Sequence, residues 1–169
     1  PNINFQEVVR IETELASDKM QGREIFTPGI ELASAFIENE FKKIGLSYFK
    51  DLKNYRQEFI AEGKAANNVI GILFGKSKPE EFVIFSAHYD HIGVVKNGED
   101  KVYNGANDDA SGTTAVIALA KYFKELNQNE RTIIFVAFTG EEVGGFGASY
   151  FSKNIDAKTV VAMFNIEMI

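Results

Sequence analysis

Four short clusters of histidine and acidic residues carry the chemistry that this sequence could perform. They are His88-Tyr89-Asp90-His91, Asn107-Asp108-Asp109, Glu141-Glu142 and Glu167. The chain has no cysteine, so imidazole nitrogen and carboxylate oxygen would have to hold any metal ion. Zinc accepts both, and two zinc ions about 3.5–4 Å apart can share a bridging carboxylate and activate water. The clusters therefore supply nearly all the groups of a paired metal site, including one carboxylate to act as a general base.

The elements that must position these clusters alternate between apolar strands and amphipathic helices. Continuous apolar runs predict buried strands at 67–74, 82–87, 132–138 and 160–166. Apolar residues at helical spacing predict helices over 3–15, 28–44, 109–126 and 148–153, the second capped by Thr27 and ended by Gly45. This alternation predicts an α/β protein, a three-layer α/β/α sandwich with a mostly parallel mixed sheet.

Three of the four clusters begin where a predicted strand ends. His88 follows strand 82–87, Glu141 and Glu142 follow strand 132–138, and Glu167 follows strand 160–166. If these strands are parallel neighbours, the functional crevice lies beyond their carboxyl ends, so we expect the clusters to converge there. The remaining cluster lies in a glycine-containing loop ahead of a helix, where glycine allows close approach of the backbone.

Length and composition predict a single globular domain over residues 1–169, since no linker interrupts the sequence. The net charge of -6 argues against nucleic acid as a partner, because polyanion binding requires clustered Lys and Arg. No apolar run approaches the roughly 20 residues of a membrane-spanning segment. The predicted strand 160–166 stops without a cap or turn, so we expect the domain to be incomplete at its C-terminus.

The four clusters resemble the ordered motifs of the two-zinc aminopeptidase and glutamate carboxypeptidase family of clan MH. The matching segments are His88-Tyr89-Asp90, Gly105 to Gly112, Glu141-Glu142 and Asn165-Ile166-Glu167-Met168, with Met20-Gln21-Gly22-Arg23 and Thr27-Pro28-Gly29 near the start. Each motif alone is weak, but four in the right order are specific. The resemblance implies the phosphorylase/hydrolase-like fold of zinc peptidases.

The resemblance also implies a role for each site residue. His88 and Glu167 would ligate one zinc, Glu142 the other, and Asp108 would bridge the two. Glu141 would be the general base that takes a proton from the metal-bound water.

Two further acids would support these groups. Asp90 would accept the other ring N–H of His88, a spacing that can fix the tautomer of a ligating histidine. Asp109 would shape its loop, in the family through a cis peptide, and can also cap the following helix. His91 has no role in this pattern, and we interpret it as a near-site or structural residue.

Two departures from the family pattern stand out. Glu167 occupies a position where many relatives have Asp, which keeps the carboxylate and adds a methylene. The family's last zinc-binding histidine lies well downstream of the fourth motif, whereas this sequence ends at Ile169. We therefore expect the second zinc to lack one ligand and this chain alone to turn over little substrate.

The implied function is a zinc-dependent exopeptidase, an aminopeptidase by preference, that hydrolyses a terminal peptide bond of a peptide substrate with a metal-bound hydroxide. Family resemblance favours a secreted or periplasmic location. The short span between Asn54 and Asn67 has no room for an inserted domain, which favours the smaller aminopeptidases over carboxypeptidases.

Two alternatives stay open: a glutaminyl-cyclase-like enzyme with one zinc, and a non-catalytic binding module of the same fold. Without the other clusters, Glu141-Glu142 would be interpreted as a solvated loop pair.

Overall fold

The computed structural model describes residues 1–169 and contains one five-stranded sheet with helices on both faces. The strands are β1 (Arg56–Ala61), β2 (Lys64–Leu73), β3 (Lys78–His88), β4 (Arg131–Phe138) and β5 (Val160–Asn165). The α-helices are α1 (Phe5–Leu15), α2 (Pro28–Ile44), α3 (Ser111–Leu126) and α4 (Phe146–Lys153). Short 3₁₀ turns cover Asp18–Arg23 and Ala157–Thr159, and a single wide turn covers Ala106–Ala110.

The strands lie in the order β1-β2-β4-β3-β5. Both β4 and β5 run parallel to β3, whereas β2 is antiparallel to β4 and to β1. The predicted mixed sheet is confirmed, but two of its four strand pairs are antiparallel, so "mostly parallel" describes only the three strands that precede the clusters. Strand β1 was not predicted, because its sequence Arg-Gln-Glu-Phe-Ile-Ala has three polar residues followed by only three apolar ones, which is neither an alternating pattern nor a long apolar run.

Alternation of side chains along β4 divides the core between the two faces of the sheet. Ile133, Phe135 and Ala137 pack in a cluster with residues of α1, α2 and α3. The intervening residues Ile134, Val136 and Phe138 pack on the other face with Phe151 of α4. Because both faces are covered, β4 appears in the sequence as a continuous apolar run.

The second predicted helix has the expected bounds. Pro28 occupies its first turn, where its missing N–H costs nothing, and Gly45 ends it at φ +76°. Thr27 precedes the helix but does not cap it, since its hydroxyl donates to Glu24 O instead of accepting a helix N–H. No helix in the structure combines the length and apolar content needed to cross a bilayer.

Candidate metal centre

The carboxyl ends of β3, β4 and β5 meet at one edge of the sheet. Strand pairing aligns His88 with Phe138, the last residue of β4, and aligns Ser86 with Asn165, the last residue of β5. Glu141 and Glu167 follow these strand ends by three and two residues, respectively. The structure thus brings together the clusters that the sequence places after separate strands.

His88 stands at the centre of a first group of potential ligands. Its Nε2 lies 3.1 Å from Asp108 Oδ1, 3.9 Å from Glu167 Oε1 and 4.0 Å from Glu141 Oε2. His88, Asp108 and Glu167 each offer one ligand atom, and all three atoms lie within 4.8 Å of one another.

A second group lies on the other side of Asp108. Here Asp108 Oδ2 lies 3.9 Å from His91 Nδ1, which in turn lies 2.7 Å from Glu142 Oε1. Asp108 therefore directs one carboxylate oxygen to each group. A carboxylate shared between two cations has this arrangement.

Two atoms of the first group are buried and have no hydrogen-bond partner: His88 Nε2 and Asp108 Oδ1. Buried polar atoms nearly always have a partner, and an unpartnered nitrogen facing an unpartnered carboxylate oxygen is a donor set for a metal ion. The residues present therefore fit a zinc ion.

Asp109 connects three segments of the site from within the protein. Its Oδ2 accepts the backbone N–H of His88, while its Oδ1 accepts the N–H groups of Gly112 and Met168. The peptide bond between Asp108 and Asp109 is cis, as the family resemblance implied. Asp109 thus joins the end of β3, the start of α3 and the segment after β5.

Asp90 supports the site differently from the expectation. The backbone carbonyl of Asp90 lies 3.1 Å from His88 Nδ1, whereas its carboxylate Oδ1 is 3.6 Å away. Because a carbonyl can only accept, Nδ1 carries a proton and Nε2 faces the ligand group. The carboxylate of Asp90 instead accepts the backbone N–H groups of Glu141 and Glu142.

We expect Asp90→Asn to lower zinc affinity or activity by about 10–100-fold, the usual cost of disturbing residues that support metal ligands. The amide would direct its NH₂ group at the N–H of Glu141 or Glu142, and this repulsion would displace both acids. Equilibrium zinc binding measures the effect. Asp156→Asn is the matched control, since Asp156 also accepts a backbone N–H but is exposed and lies ahead of β5. Equal zinc affinity in the two variants would contradict this role.

Arg23 lies behind the segments that carry the candidate ligands and is completely buried. It donates hydrogen bonds to four backbone carbonyls: Leu15 O, Tyr89 O, Asn104 O and Gly105 O. Burial lowers its pKa to about 10, against the opposing effect of nearby carboxylates including Asp90, Asp109 and Asp108, so it stays charged at neutral pH. Arg23 belongs to one of the segments that resemble the family, but the resemblance implied no role for it.

The acidic surroundings also alter the protonation of the site. Burial disfavours the charged form of His88, but contact with Asp90 and the charges of Asp109 and Glu141 prevail and raise its pKa to about 9. Burial raises the pKa of Asp109 to about 6 despite the His88 charge and three N–H donors. For Glu141, burial is the main cause of a raised pKa, which the His88 charge opposes and Glu167, Asp90 and Glu142 reinforce.

Zinc binding at pH 7.5 is therefore expected to release a proton from His88. With a pKa of about 9, the metal-free imidazole is mostly protonated at that pH, and ligation requires its neutral form. Apparent zinc affinity should rise with pH up to about 9 and then level off, as proton release falls to zero. Calorimetry in two buffers with different ionisation enthalpies measures the release. A titration midpoint of His88 near its ordinary value of 6.5 in the metal-free chain would contradict this expectation.

A cavity of about 290 Å³ opens beside the first group. His88, Glu141 and Glu167 contribute to its wall, together with apolar and small residues of β4, α4 and β5: Phe138, Ala148 and Met163. The cavity thus combines imidazole and carboxylate groups with a few apolar side chains.

Comparison with protein families gives a match to peptidase family M28 over residues 68–169. This segment contains all four clusters of histidine and acidic residues.

Curated relatives include enzymes from fungi and bacteria. A protein of Pyrenophora tritici-repentis named "Probable zinc metalloprotease" is 29% identical over 154 residues, which cover 85% of this chain and 31% of the relative. Aminopeptidase YwaD of Bacillus subtilis is 30% identical over 110 residues, which cover 63% of this chain and 22% of that enzyme. The chain thus spans less than a third of the length of these relatives.

Solved structures match the fold along the whole chain. A Zn-dependent exopeptidase of Parabacteroides distasonis has a TM-score of 0.73 at 19% identity, covering 100% of this chain and 63% of that structure. A glutaminyl cyclase of Tannerella forsythia has a TM-score of 0.74 at the same 19% identity and coverage. At this identity the likeness concerns the fold, which is that of the zinc-dependent exopeptidases.

Proposed function

The chain belongs to peptidase family M28, and from this premise we propose that it is part of a zinc-dependent exopeptidase that releases terminal residues from peptides. We further propose that residues 1–169 form one portion of a single catalytic domain, since they span 31% of the fungal relative. The metal in this proposal is zinc, as the names of the fungal relative and of the exopeptidase structure indicate for those proteins.

The observation that carries the proposal is the position of Asp108. One of its oxygens faces His88 and the other faces His91, so a single carboxylate connects both groups. A purely structural acidic cluster has no reason to leave a buried nitrogen and a buried carboxylate oxygen unpartnered. In the proposed assignment, His88 and Glu167 hold one cation, Glu142 holds the other, and Asp108 bridges them.

Glu141 is assigned as the general base. It lies beside the first group but outside both ligand sets. Its side chain is 49% exposed and lines the cavity. Its raised pKa suits a carboxylate that accepts a proton and passes it on. Zinc, when bound, supplies Lewis acidity and makes water nucleophilic at neutral pH. Phe138, Ala148 and Met163 in the same cavity would contact the substrate beside Glu141.

An aminopeptidase is favoured over a carboxypeptidase by the chain between α2 and β2. That span contains only the loop of residues 45–55, β1 and a tight turn at Glu62 and Gly63 before β2 begins, so there is no inserted domain. The name of the Bacillus relative agrees with this preference. We propose a peptide with a free amino terminus as substrate.

The proposal is tested by measuring bound zinc and the release of amino acids from aminoacyl and N-blocked peptide substrates, using the chain together with the remainder of its protein. We expect zinc-dependent release from the free amino terminus only. Hydrolysis of carboxyl-terminal residues would contradict the aminopeptidase assignment. One bound zinc with cyclisation of N-terminal glutamine would instead identify a glutaminyl cyclase, and zinc binding without turnover would identify a binding module.

A further inference from the structure

We propose that His91 is a ligand of the second cation, through its Nδ1 atom. The inference rests on the proposed two-cation centre, and it adds an imidazole ligand to Glu142 and Asp108 at the second cation. Within residues 1–169 the chain has only two histidines, and the structure places one in each ligand group.

The geometry of the second group suits a cation. His91, Asp108 and Glu142 offer ligand atoms that lie within 4.8 Å of one another. Two ligand atoms bound to one zinc at tetrahedral angles are about 3.4 Å apart, given bonds of about 2.0–2.2 Å. The observed distances from His91 Nδ1, 2.7 Å to Glu142 and 3.9 Å to Asp108, lie on either side of that value. Shifts of well under 1 Å would make both distances fit.

The surrounding backbone holds His91 in this position. Its N–H donates to the backbone carbonyl of the buried residue Arg23 at 3.2 Å. Its ring packs against Gly105, where an added Cβ would lie 2.6 Å from His91 Cγ and Cδ2. Gly105 also has φ +58°, so both the backbone conformation and the close contact with His91 require glycine there. His91 is therefore positioned by the same loop that presents Asp108.

The charges of the group favour a cation between its members. Glu142 and Asp108 are both acids, and His91 Nδ1 lies within 4 Å of a carboxylate oxygen of each. The contact between His91 Nδ1 and Glu142 Oε1, at 2.7 Å, brings the imidazole and the carboxylate to the same point. Zinc binds both imidazole nitrogen and carboxylate oxygen, and catalytic zinc sites hold the ion with three protein ligands.

A direct test uses the chain with ¹⁵N-labelled histidine, titrated with ¹¹³Cd²⁺ as a spin-active substitute for zinc. With two histidines, the ring signals are assigned by comparing the wild-type chain with His91→Ala. We expect two equivalents to bind, with nitrogen–cadmium coupling at His88 Nε2 and at His91 Nδ1. Coupling at His88 alone, with His91 keeping its Nδ1 proton, would overturn this inference and leave the proposed function intact. No coupling at either ring would contradict the metal centre itself.

Zinc competition provides a second measurement. In His91→Ala the second equivalent of zinc should bind at least about tenfold more weakly, while the first equivalent, held by His88, should bind as in the wild type. His91→Gln separates ligation from hydrogen bonding, because its amide can still donate to Glu142 but binds zinc poorly. Restoration of wild-type affinity by glutamine would show that His91 only positions Glu142, and it would overturn the inference.

Discussion

Glu141→Gln is expected to lower kcat by about 10²–10⁴-fold, the usual contribution of a general base, while zinc content stays at the wild-type level. Glutamine keeps the size of the side chain but cannot take a proton. Glu141 Oε2 lies 4.0 Å from His88 Nε2, and Glu141 belongs to neither ligand set, so its loss leaves every proposed ligand in place. Turnover of an aminoacyl substrate and metal content, measured on the same preparation, check both parts.

The control for this variant is Glu130→Gln. Glu130 is an exposed acid that immediately precedes β4, at the opposite end of the strand that leads to Glu141. It should leave kcat unchanged. If Glu141→Gln lost a full equivalent of zinc, Glu141 would be a ligand and the assignment of the base would be wrong.

Arg23→Met should lower the free energy of unfolding of the metal-free chain by about 3–5 kcal/mol, the range observed when one member of a buried charged network is removed. Methionine retains much of the apolar volume but leaves four carbonyls without the donor that Arg23 supplies. It also removes a buried positive charge near Asp90, Asp109 and Asp108. Urea unfolding at neutral pH measures the difference.

Two further variants make the Arg23 test specific. Arg131→Met is the control, because Arg131 pairs with Glu81 at a partly exposed position, where an ion pair contributes about 0–1 kcal/mol. Arg23→Lys keeps the charge but cannot reach four carbonyls, so we expect an intermediate loss. Both Arg23 variants keep a non-glycine residue at φ +49°, so backbone strain does not differ between them. If Arg23→Met lowered the free energy of unfolding no more than Arg131→Met does, the stabilising role of Arg23 would be contradicted.

Much of the fold could be predicted from the sequence because its strongest signals are local. Helix α2 has a proline in its first turn, a periodic apolar face and a terminal glycine, and its bounds are the predicted ones. Strand β4 is a continuous apolar run because both its faces are covered. The convergence of His88, Glu141 and Glu167 followed from a general property of neighbouring parallel strands.

The features that sequence could not predict depend on contacts between distant segments. The role of Arg23 comes from carbonyls as far away as Gly105, and carbonyl acceptors have no residue-type signature. The interaction of Asp90 with the backbone N–H groups of Glu141 and Glu142 could not be predicted from the sequence for the same reason, because nearly every residue type has a backbone N–H. His91 was the harder case: only its three-residue spacing from His88 pointed to the site, and its neighbours Glu142 and Asp108 come from other loops.

The position of β4 in the middle of the sheet has a consequence for how the protein is made. Strands β2 and β3 are separated by only residues 74–77, yet they are not neighbours, because β4 lies between them. A ribosome synthesising about 5–20 residues per second needs roughly 2.5–10 s to pass from the end of β3 to the end of β4. During that interval the edges of β2 and β3 are unpaired and open to mispairing with each other or with other chains. The same strand carries Glu141 and Glu142 into place, whereas Glu167 arrives only after β5 has been added beside β3, so the sheet and the candidate metal centre are completed in two successive steps.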